Sequence, residues 1–449
     1  MKYAPYRASS QSIWRYSDRL SPKYPDQGWK IHVSGTPLNA SQILRNITPI
    51  LSNAQVTYKI PHSLDELMRI NSGIFYGYSQ IGKFVTVYPK NDGEFQIIAR
   101  KLHQATYRFE APQVPFDFRF ADRSCVYFRY GRFKTGKTAS GDNYAVSAIT
   151  APDGSTVHDD RSRASYVPVW APTPSTYSYE KEPVQDLQGP FSTQYCVFRS
   201  IVQRGKGGVY EAIDMKRSGR RIIIKEGRSQ GEVAWDGSDG ADRLQIELAS
   251  LTALDLAKVP VPKVLSTFEN KGNNYLVLEK IKGVTLQALV DKCFAYLTIN
   301  ESLGLGLKIA KVVSQIHEAG WVWRDCKPAN FLISPRGSVR PIDFEGACRT
   351  ENPSRLPWAS KGFASPESLT SKERDSNLPE DLYALGAVLH FLLTGIIPEQ
   401  TGVGKNPILG SEMPKHLTKI ISALLDPIPS NRPNAATVML QLSSRRLIG

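Results

Sequence analysis

The segment from Trp323 to Ile333, WRDCKPANFLI, constrains the fold of this chain more than any other feature of its 449 residues. It places a carboxylate, an ammonium group and an amide at Asp325, Lys327 and Asn330, and a second carboxylate follows at Asp343. Phosphoryl transfer requires this combination, because negative charge must be neutralised and the reacting groups must be positioned. Any one of these residues could be a surface or capping residue, but the ordered set is typical of a catalytic centre.

A glycine-rich turn and a lysine-bearing strand precede this centre. Gly205, Gly207 and Gly208 lie in IVQRGKGGVYEA between two β-favouring runs, where glycine lets the backbone approach a phosphate group closely. Such a turn is weak evidence when taken alone. Lys225 lies on the apolar strand RIIIKEG, where a cation needs an anionic partner, and Glu247 on the next helical segment can supply it.

These motifs resemble the eukaryotic-type protein kinase family, in the family's order and over about residues 195–445. The resemblance implies a bilobal fold in which Lys225, paired with Glu247, contacts the phosphates of ATP or GTP. It implies that Asp325 accepts the proton of a substrate hydroxyl and that Lys327 lies beside the transferred phosphate.

The same resemblance assigns metal-binding, adenine-binding and structural residues. It implies that Asn330 and Asp343 hold Mg²⁺ and that the segment from Glu279 to Ile281 faces the adenine. It also implies an ion pair between Glu367 and Arg432, and a bracing role for Asp381 beneath the catalytic loop.

Three positions depart from the kinase pattern. Trp323 replaces the usual His before Arg-Asp, Glu345 replaces the usual Gly after Asp-Phe, and Tyr210 occupies the third glycine position of the phosphate loop. None of these departures removes a catalytic group, so the sequence predicts an active kinase.

The N-terminal segment GWKIHVSGTP has the alternation of a half-buried strand. Lys30, His32 and Ser34 share one face of that strand, while Ile31 and Val33 face a core. A lysine and a histidine on one face are a candidate base and acid, although the same pattern also occurs on solvated edge strands.

Further cations in this region favour an anionic ligand. Residues 1–140 hold 20 Lys and Arg against 9 Asp and Glu, which accounts for most of the formal net charge of +14. Three separate segments supply these cations, namely Lys83 and Lys90, then Arg100, then Arg129 and Arg132. Arginine is the side chain that most often binds phosphate through two hydrogen bonds. A basic solvated surface would give the same charge.

The strings GWKIHVSGTPLNA, GKFVTVYPK and VYFRYGRF resemble the N-terminal lyase domain of class III lanthipeptide synthetases, which is similar to bacterial phosphothreonine lyases. The resemblance implies elimination of phosphate from phosphoserine or phosphothreonine without a metal. It implies that Lys30 removes the α-proton and that His32 protonates the departing phosphate. The phosphate oxygens would then be bound by a set of cationic and polar residues, namely Arg100, Arg129, Lys83, Lys90 and Tyr130.

The sequence thus predicts an α+β protein of two domains. A mixed α/β lyase-like domain covers residues 1–150, a Pro-rich linker covers 151–190, and a bilobal kinase-like domain covers 191–449. The five cysteines lack CxxC spacing, the N-terminus lacks a signal sequence, and no apolar run is long enough to span a bilayer. We therefore expect a cytoplasmic protein without a membrane span.

Together the two resemblances predict a sequential dehydratase acting on a precursor peptide with a leader and a core rich in Ser and Thr. Class III synthetases continue into a cyclase domain, whereas this sequence ends at Gly449. Either the sequence is truncated, or a separate cyclase acts, or the dehydroamino acids stay open. Three rival hypotheses are a signalling kinase with an N-terminal sensor domain, a non-catalytic scaffold and a nucleic-acid-binding protein. The last lacks any recognition helix or RNA-binding signature.

Overall fold

The structure is a computed structural model that describes residues 6–7, 12–133, 148–158, 167–171, 189–293, 297–358, 360–370, 375–398 and 414–443. The chain forms two compact units. The first unit comprises Met1–Glu211, Lys225–Asp242 and Glu269–Tyr275. The second unit comprises Ala212–Ile224, Arg243–Phe268 and Leu276–Gly449.

The first unit is built on a seven-stranded antiparallel sheet. In chain order its strands are β1 (Tyr6–Arg7), β2 (Trp14–Tyr16), β3 (Gln27–Val33), β4 (Thr57–Pro61), β5 (Val85–Tyr88), β6 (Phe118–Arg119) and β7 (Val126–Arg132). Their spatial order is β1-β2-β4-β5-β3-β7-β6. The strand β3, which carries Lys30 and His32, therefore lies between β5 and β7, away from both edges of the sheet.

Three helices accompany this sheet: α1 (Ala40–Asn53), α2 (Leu64–Ser72) and α3 (Asp92–Thr106). Trp29, Ile31 and Val33 of β3 are buried in one hydrophobic core with apolar residues of α1 and α3. Because side chains alternate along a strand, Lys30 and His32 lie on the opposite face of the sheet. The predicted alternation of this strand is confirmed.

Local signals explain where α2 and α3 begin. The Ser63 hydroxyl accepts a hydrogen bond from the Glu66 amide at 3.1 Å, and the Asn91 side chain accepts one from the Glu94 amide at 2.9 Å. Both are N-caps, which satisfy amides that have no partner within the helix. The helix α2 ends at Gly73, which has φ +71° and adopts the left-handed conformation that favours glycine.

Part of the predicted linker, 151–190, forms regular structure. Its strand β9 (Thr156–His158) pairs antiparallel with β8 (Ala148–Thr150), which directly precedes the linker. Ala171 of the linker and Ile149 of β8 are buried in the same core as β3. Residues 159–166 and 172–188, which include Tyr166 and Tyr177, lie outside the described residues.

A five-stranded sheet follows, in the spatial order β10-β11-β12-β14-β13. The elements of this region are α4 (Pro190–Thr193), β10 (Tyr195–Arg204), β11 (Gly207–Asp214), β12 (Arg220–Gly227), α5 (Gly240–Leu256), β13 (Val264–Asn270) and β14 (Asn273–Glu279). The boundary between the two units runs through four of these strands, so the end of β12 from Lys225 onward belongs to the first unit.

The rest of the second unit is mainly helical. Its helices are α6 (Leu286–Cys293), α7 (Ile299–Glu318), α8 (Pro366–Thr370), α9 (Leu378–Thr394), α10 (Lys415–Leu424) and α11 (Ala435–Ser443). Short strands accompany them, namely β15 (Val284–Thr285), β16 (Trp321–Val322), β17 (Phe331–Ile333), β18 (Val339–Pro341) and β19 (Cys348–Arg349). Apolar residues of α7, α9, α10 and α11 share one core with the catalytic-loop residue Trp323.

The predicted class, an α+β protein with a mixed N-terminal domain before a kinase-like domain, is confirmed. Among the residues that the structure describes, none of the helices combines the length and apolar character needed to cross a bilayer.

Candidate functional site

The first candidate site lies on the face of the seven-stranded sheet that carries His32. In the strand register, His32 is directly opposite Thr86 of β5 and Tyr127 of β7, and Lys30 is directly opposite Arg129. Directly opposite residues share a sheet face, so these side chains form one group. His32 and Arg129 are buried, with 4% and 6% of their surfaces exposed.

Asp117 joins His32 to Lys83. The Asp117 Oδ2 atom lies 2.5 Å from His32 Nδ1, and its Oδ1 atom lies 3.6 Å from Lys83 Nζ. The carboxylate is fully buried, and Lys83 is only 5% exposed. A buried carboxylate between two nitrogen groups holds both of them in place, because a buried charge or donor is costly unless it is paired.

The pKa values of His32 and Asp117 describe an ionised carboxylate beside a neutral imidazole. Burial lowers the pKa of His32 to about 4, although the Asp117 charge acts in the opposite direction. Burial raises the pKa of Asp117, but the charges of Lys83 and His32 outweigh that effect and bring it to about 2. At neutral pH the Nδ1–H group of His32 therefore donates a hydrogen bond to the Asp117 carboxylate, and the Nε2 atom is available to other groups.

Sequence reasoning missed Asp117. It lies in the segment Ala111–Asp117, just before the two-residue strand β6, and no periodic pattern marks it. The one available signal is chemical: it is among only nine acidic residues in a region with twenty cations. A carboxylate in such a segment is a candidate for orienting those cations.

Tyr130 and Arg100, which are predicted to bind phosphate, do not share the His32 face. Tyr130 lies directly opposite Trp29, and the two rings pack in the core with centroids 5.5 Å apart. Arg100 is exposed on α3, whose residues Phe95 and Ile98 face the core. The Lys90 ammonium donates to the Gln55 carbonyl at 3.2 Å and lies 3.8 Å from Glu94.

The second candidate site is the catalytic loop of the second unit, where three side chains converge on Asp325. Its Oδ2 atom accepts hydrogen bonds from Lys327 at 2.7 Å and from Asn330 at 2.8 Å. Its Oδ1 atom accepts one from the Ser360 hydroxyl at 2.8 Å. The structure thus brings the predicted Asp325, Lys327 and Asn330 together, and it adds Ser360, which the motif did not indicate.

Asp381 braces this loop from below. Its two oxygens accept hydrogen bonds from the amides of Trp323 and Arg324, both at 2.7 Å, and His317 Nε2 lies 3.0 Å from Oδ2. Arg324 has φ +67°, a strained conformation for this residue type, and the two amide contacts oppose that strain. The predicted bracing contact of Asp381 is present.

Trp323 makes a contact that explains its place in the motif. Its Nε1 atom donates to the backbone carbonyl of Asp343 at 2.9 Å, and its ring stacks on Phe344 with centroids 5.2 Å apart. The indole therefore ties the catalytic loop to the Asp343 segment. Asp343 itself has φ +68°.

The donor chemistry of Asn330 and Asp343 fits Mg²⁺, because amide and carboxylate oxygens are its usual protein ligands. The Asn330 amide nitrogen donates to Asp325, which turns the amide oxygen toward other groups. Glu247 accepts a hydrogen bond from the Phe344 amide at 3.3 Å, so it lies against the segment that carries Asp343.

The predicted structural ion pair is present. Arg432 donates two hydrogen bonds to the Glu367 carboxylate, at 2.6 and 2.8 Å. In the segment predicted to face the adenine, the Glu279 carboxylate is bound by Arg340, and the Glu279 amide donates to the Lys263 carbonyl at 3.0 Å. Ile281 lies two residues beyond, and its side chain is half-buried.

The glycine-rich segment and Lys225 belong to the first unit. Gly205 is in the two-residue turn between β10 and β11, while Gly207 and Gly208 begin β11. The Tyr210 ring occupies the space next to Gly208, and its hydroxyl donates to Glu226 at 2.8 Å. Tyr210, in the third glycine position, therefore links the β10–β11 hairpin to β12, the strand that carries Lys225.

Comparisons with known proteins match both halves of the chain. A family model described as RamC, N-terminal domain, matches residues 2–186, and a protein kinase domain model matches residues 198–442. A probable SapB synthase of Streptomyces coelicolor is 28% identical over 356 residues, which are 76% of this chain and 37% of that protein.

Other relatives match the kinase portion. A probable serine/threonine-protein kinase, pknA2, of Bifidobacterium longum is 27% identical over 60% of this chain and 34% of that protein. A probable kinase PknB of Lactococcus lactis subsp. lactis is 28% identical over 46% of this chain and 32% of that protein. The chain thus spans about a third of the length of these curated relatives.

Proposed function

The chain belongs to the protein kinase family, and we propose that it joins a kinase step to a phosphate elimination step on the same peptide. In the first step the kinase domain phosphorylates a Ser or Thr hydroxyl. In the second step the N-terminal domain removes that phosphate and leaves a dehydroamino acid. The observation that carries the second step is the buried group of His32, Asp117 and Lys83 on a basic sheet face.

The elimination removes one proton and one phosphate. A base takes the α-proton, the electron pair of that C–H bond forms the Cα=Cβ double bond, and the Cβ–Oγ bond breaks. The departing phosphate oxygen receives a proton from His32 Nε2. The negative charge of the bound phosphate raises the pKa of His32, and Asp117 at Nδ1 stabilises the imidazolium, so the histidine can carry that proton.

We assign the base to Lys30. It shares the face of His32 and lies directly opposite Arg129, and a neighbouring cation favours the neutral amine that proton abstraction needs. Lys83 is the alternative base, but its pairing with Asp117 favours the charged ammonium. Arg129, buried on the same face, is the phosphate-binding residue that the geometry supports best.

In the kinase step Asp325 accepts the proton of the substrate hydroxyl, and Lys327 stabilises charge on the transferred phosphate. The Ser360 hydroxyl bound to Asp325 Oδ1 at 2.8 Å supports this role, since it makes the contact that a substrate hydroxyl needs. When bound by Asn330 and Asp343, Mg²⁺ would neutralise charge on the ATP or GTP phosphates.

We propose a ribosomally made precursor peptide as the substrate. The support is the match to a protein named SapB synthase together with the RamC-type N-terminal domain. A separate cyclase could then use the dehydroamino acids, since elimination leaves an electrophilic double bond.

The test is mass spectrometry of a candidate precursor peptide incubated with the chain, Mg²⁺ and ATP or GTP. The wild-type product should lose the mass of one water for each modified residue, and free phosphate should appear. Asp325→Ala should leave the peptide unchanged. His32→Ala and Lys30→Ala should each accumulate phosphopeptide, whereas the exposed control Lys101→Ala should behave as wild type.

Stable phosphopeptide from the wild-type chain would instead support a signalling kinase with a sensor domain. The base can be identified by measuring kcat and KM of the Lys30→Ala and Lys83→Ala variants on a synthetic phosphopeptide without nucleotide. Loss of kcat with KM retained in Lys30→Ala supports Lys30, while the same pattern in Lys83→Ala alone would assign the base to Lys83.

A further inference from the structure

The loops that carry Lys83 and Asp117 rest on two residues outside the candidate site. Asn71, in the last turn of α2, is 1% exposed. Its Nδ2 atom donates to the Gly35 carbonyl at 3.0 Å, and its Oδ1 atom accepts from the Gly82 amide at 3.1 Å. Since Gly82 directly precedes Lys83, Asn71 fixes the backbone from which that lysine extends.

Tyr78 supports the same loops from another side. Its ring packs edge-on against Phe116, with centroids 5.7 Å apart, and Phe116 directly precedes Asp117. Phe116 has φ +66°, so its neighbours must hold a backbone conformation that is unfavourable for this residue type. The position of the Asp117 carboxylate therefore depends on the packing of Tyr78.

Arg228 and Gly205, which come from the kinase-like sequence, contact Tyr78 and the end of α2. All of these residues belong to the first unit. The Arg228 guanidinium, one residue beyond β12, lies 5.1 Å from the centroid of the Tyr78 ring. It also donates to the Arg204 carbonyl at 3.0 Å and to Glu226 at 2.8 Å, so its position is fixed at three points.

The turn between β10 and β11 makes the second contact. The Gly205 amide donates to the Ser72 carbonyl at 2.9 Å, at the end of α2. A Cβ atom at Gly205 would overlap the carbonyl oxygen of Asn71, so the close approach requires glycine. The first glycine of the predicted phosphate loop thus has a structural role beside Asn71.

We propose that Arg228 is a positioning residue for phosphate elimination, acting through Tyr78 and Phe116 on Asp117. This inference rests on the proposed function of the His32 face. The strand β12, which carries Lys225, is therefore followed directly by a residue that supports the elimination site. Removing Arg228 should loosen Asp117, which orients His32 and Lys83, while Arg129 still binds phosphate.

The test uses the full chain, a synthetic phosphothreonine peptide and no nucleotide, with released phosphate as the readout. Arg228→Ala should lower kcat about 10-fold, with KM and the inhibition constant of inorganic phosphate within about twofold of wild type. Arg228→Lys, which keeps a cation over Tyr78, should recover most of the loss. The matched control is Arg199→Ala, an exposed arginine on β10 of the same five-stranded sheet.

Tyr78→Leu probes the same contact from its other side and guards against misfolding of one variant. Combined with Arg228→Ala it should cost no more than the larger single change, because both remove one interaction. Arg228→Ala with wild-type kcat, or strictly additive losses, would overturn the proposal. A wild-type chain that releases no phosphate would instead refute the proposed elimination itself.

Discussion

His32 is neutral in the folded chain even though the Asp117 carboxylate lies 2.5 Å from its Nδ1 atom. Burial brings the pKa of His32 to about 4, below its ordinary value of 6.5. Between these two pH values the unfolded chain binds more protons than the folded chain, so stability falls as the pH falls. A second loss of stability comes from Asp117: it begins below the ordinary carboxyl pKa of 3.8 and continues toward pH 2.

We expect His32→Asn to flatten the pH dependence of stability between pH 6.5 and pH 4, because it removes the group that takes up the proton. The measurement is the midpoint temperature of unfolding at several pH values by calorimetry. The control is His416→Asn on α10 of the second unit. An equally steep fall in both variants and in wild type would show that His32 does not titrate in this range.

Trp323 provides a second prediction at this scale. Trp323→Phe keeps a stacked ring beside Phe344 but removes the donor to the Asp343 carbonyl. A lost buried hydrogen bond costs about 1 kcal/mol, which would lower the phosphorylation rate roughly fivefold if it is fully expressed in the transition state.

The rate of phosphorylation is best measured in a His32→Ala background, where phosphate stays on the peptide. Trp321→Phe is the matched control, because the Trp321 Nε1 atom makes no hydrogen bond within the described part of the chain. Equal rates in the two variants would mean that the Trp323 contact with Asp343 does not position the catalytic loop.

At the scale of elements, strand alternation is the most reliable guide to the site. It correctly placed Lys30 and His32 opposite the core, because a strand in the middle of a sheet must turn every second residue inward. The same rule explains why Tyr130 does not join Arg129: adjacent residues of β7 face opposite sides. The prediction that both Arg129 and Tyr130 bind the same phosphate conflicts with that rule.

Helix phase and loop structure account for the other differences. Arg100 lies on the exposed side of α3, and a helix that packs through Phe95 and Ile98 cannot turn that side toward the sheet. Asp117 and Ser360 lie in loops, where position is fixed by distant contacts that leave no period in the sequence. Motif order predicted the kinase loop well, since its residues are close in sequence.

At the scale of the whole molecule, the two proposed steps can be separated by mixing variants. His32→Ala retains the kinase residues Asp325 and Lys327, and Asp325→Ala retains the group of His32, Asp117 and Lys83. A mixture of the two should restore dehydration, because phosphopeptide made by one chain can diffuse to the other. Covalent linkage in the wild-type chain raises the local phosphopeptide concentration to about the millimolar range.

At micromolar enzyme the mixture should therefore accumulate phosphopeptide that the wild-type chain does not, and the elimination rate should rise in proportion to the Asp325→Ala chain. Time-resolved mass spectrometry of the peptide measures both quantities. Wild-type dehydration rates in the mixture without any intermediate would show that linkage of the two domains gives no kinetic advantage. Asp325→Ala leaves the contact between Arg228 and Tyr78 unchanged. Failure of the mixture to dehydrate the peptide at any concentration would therefore show that elimination needs an active kinase domain in the same chain.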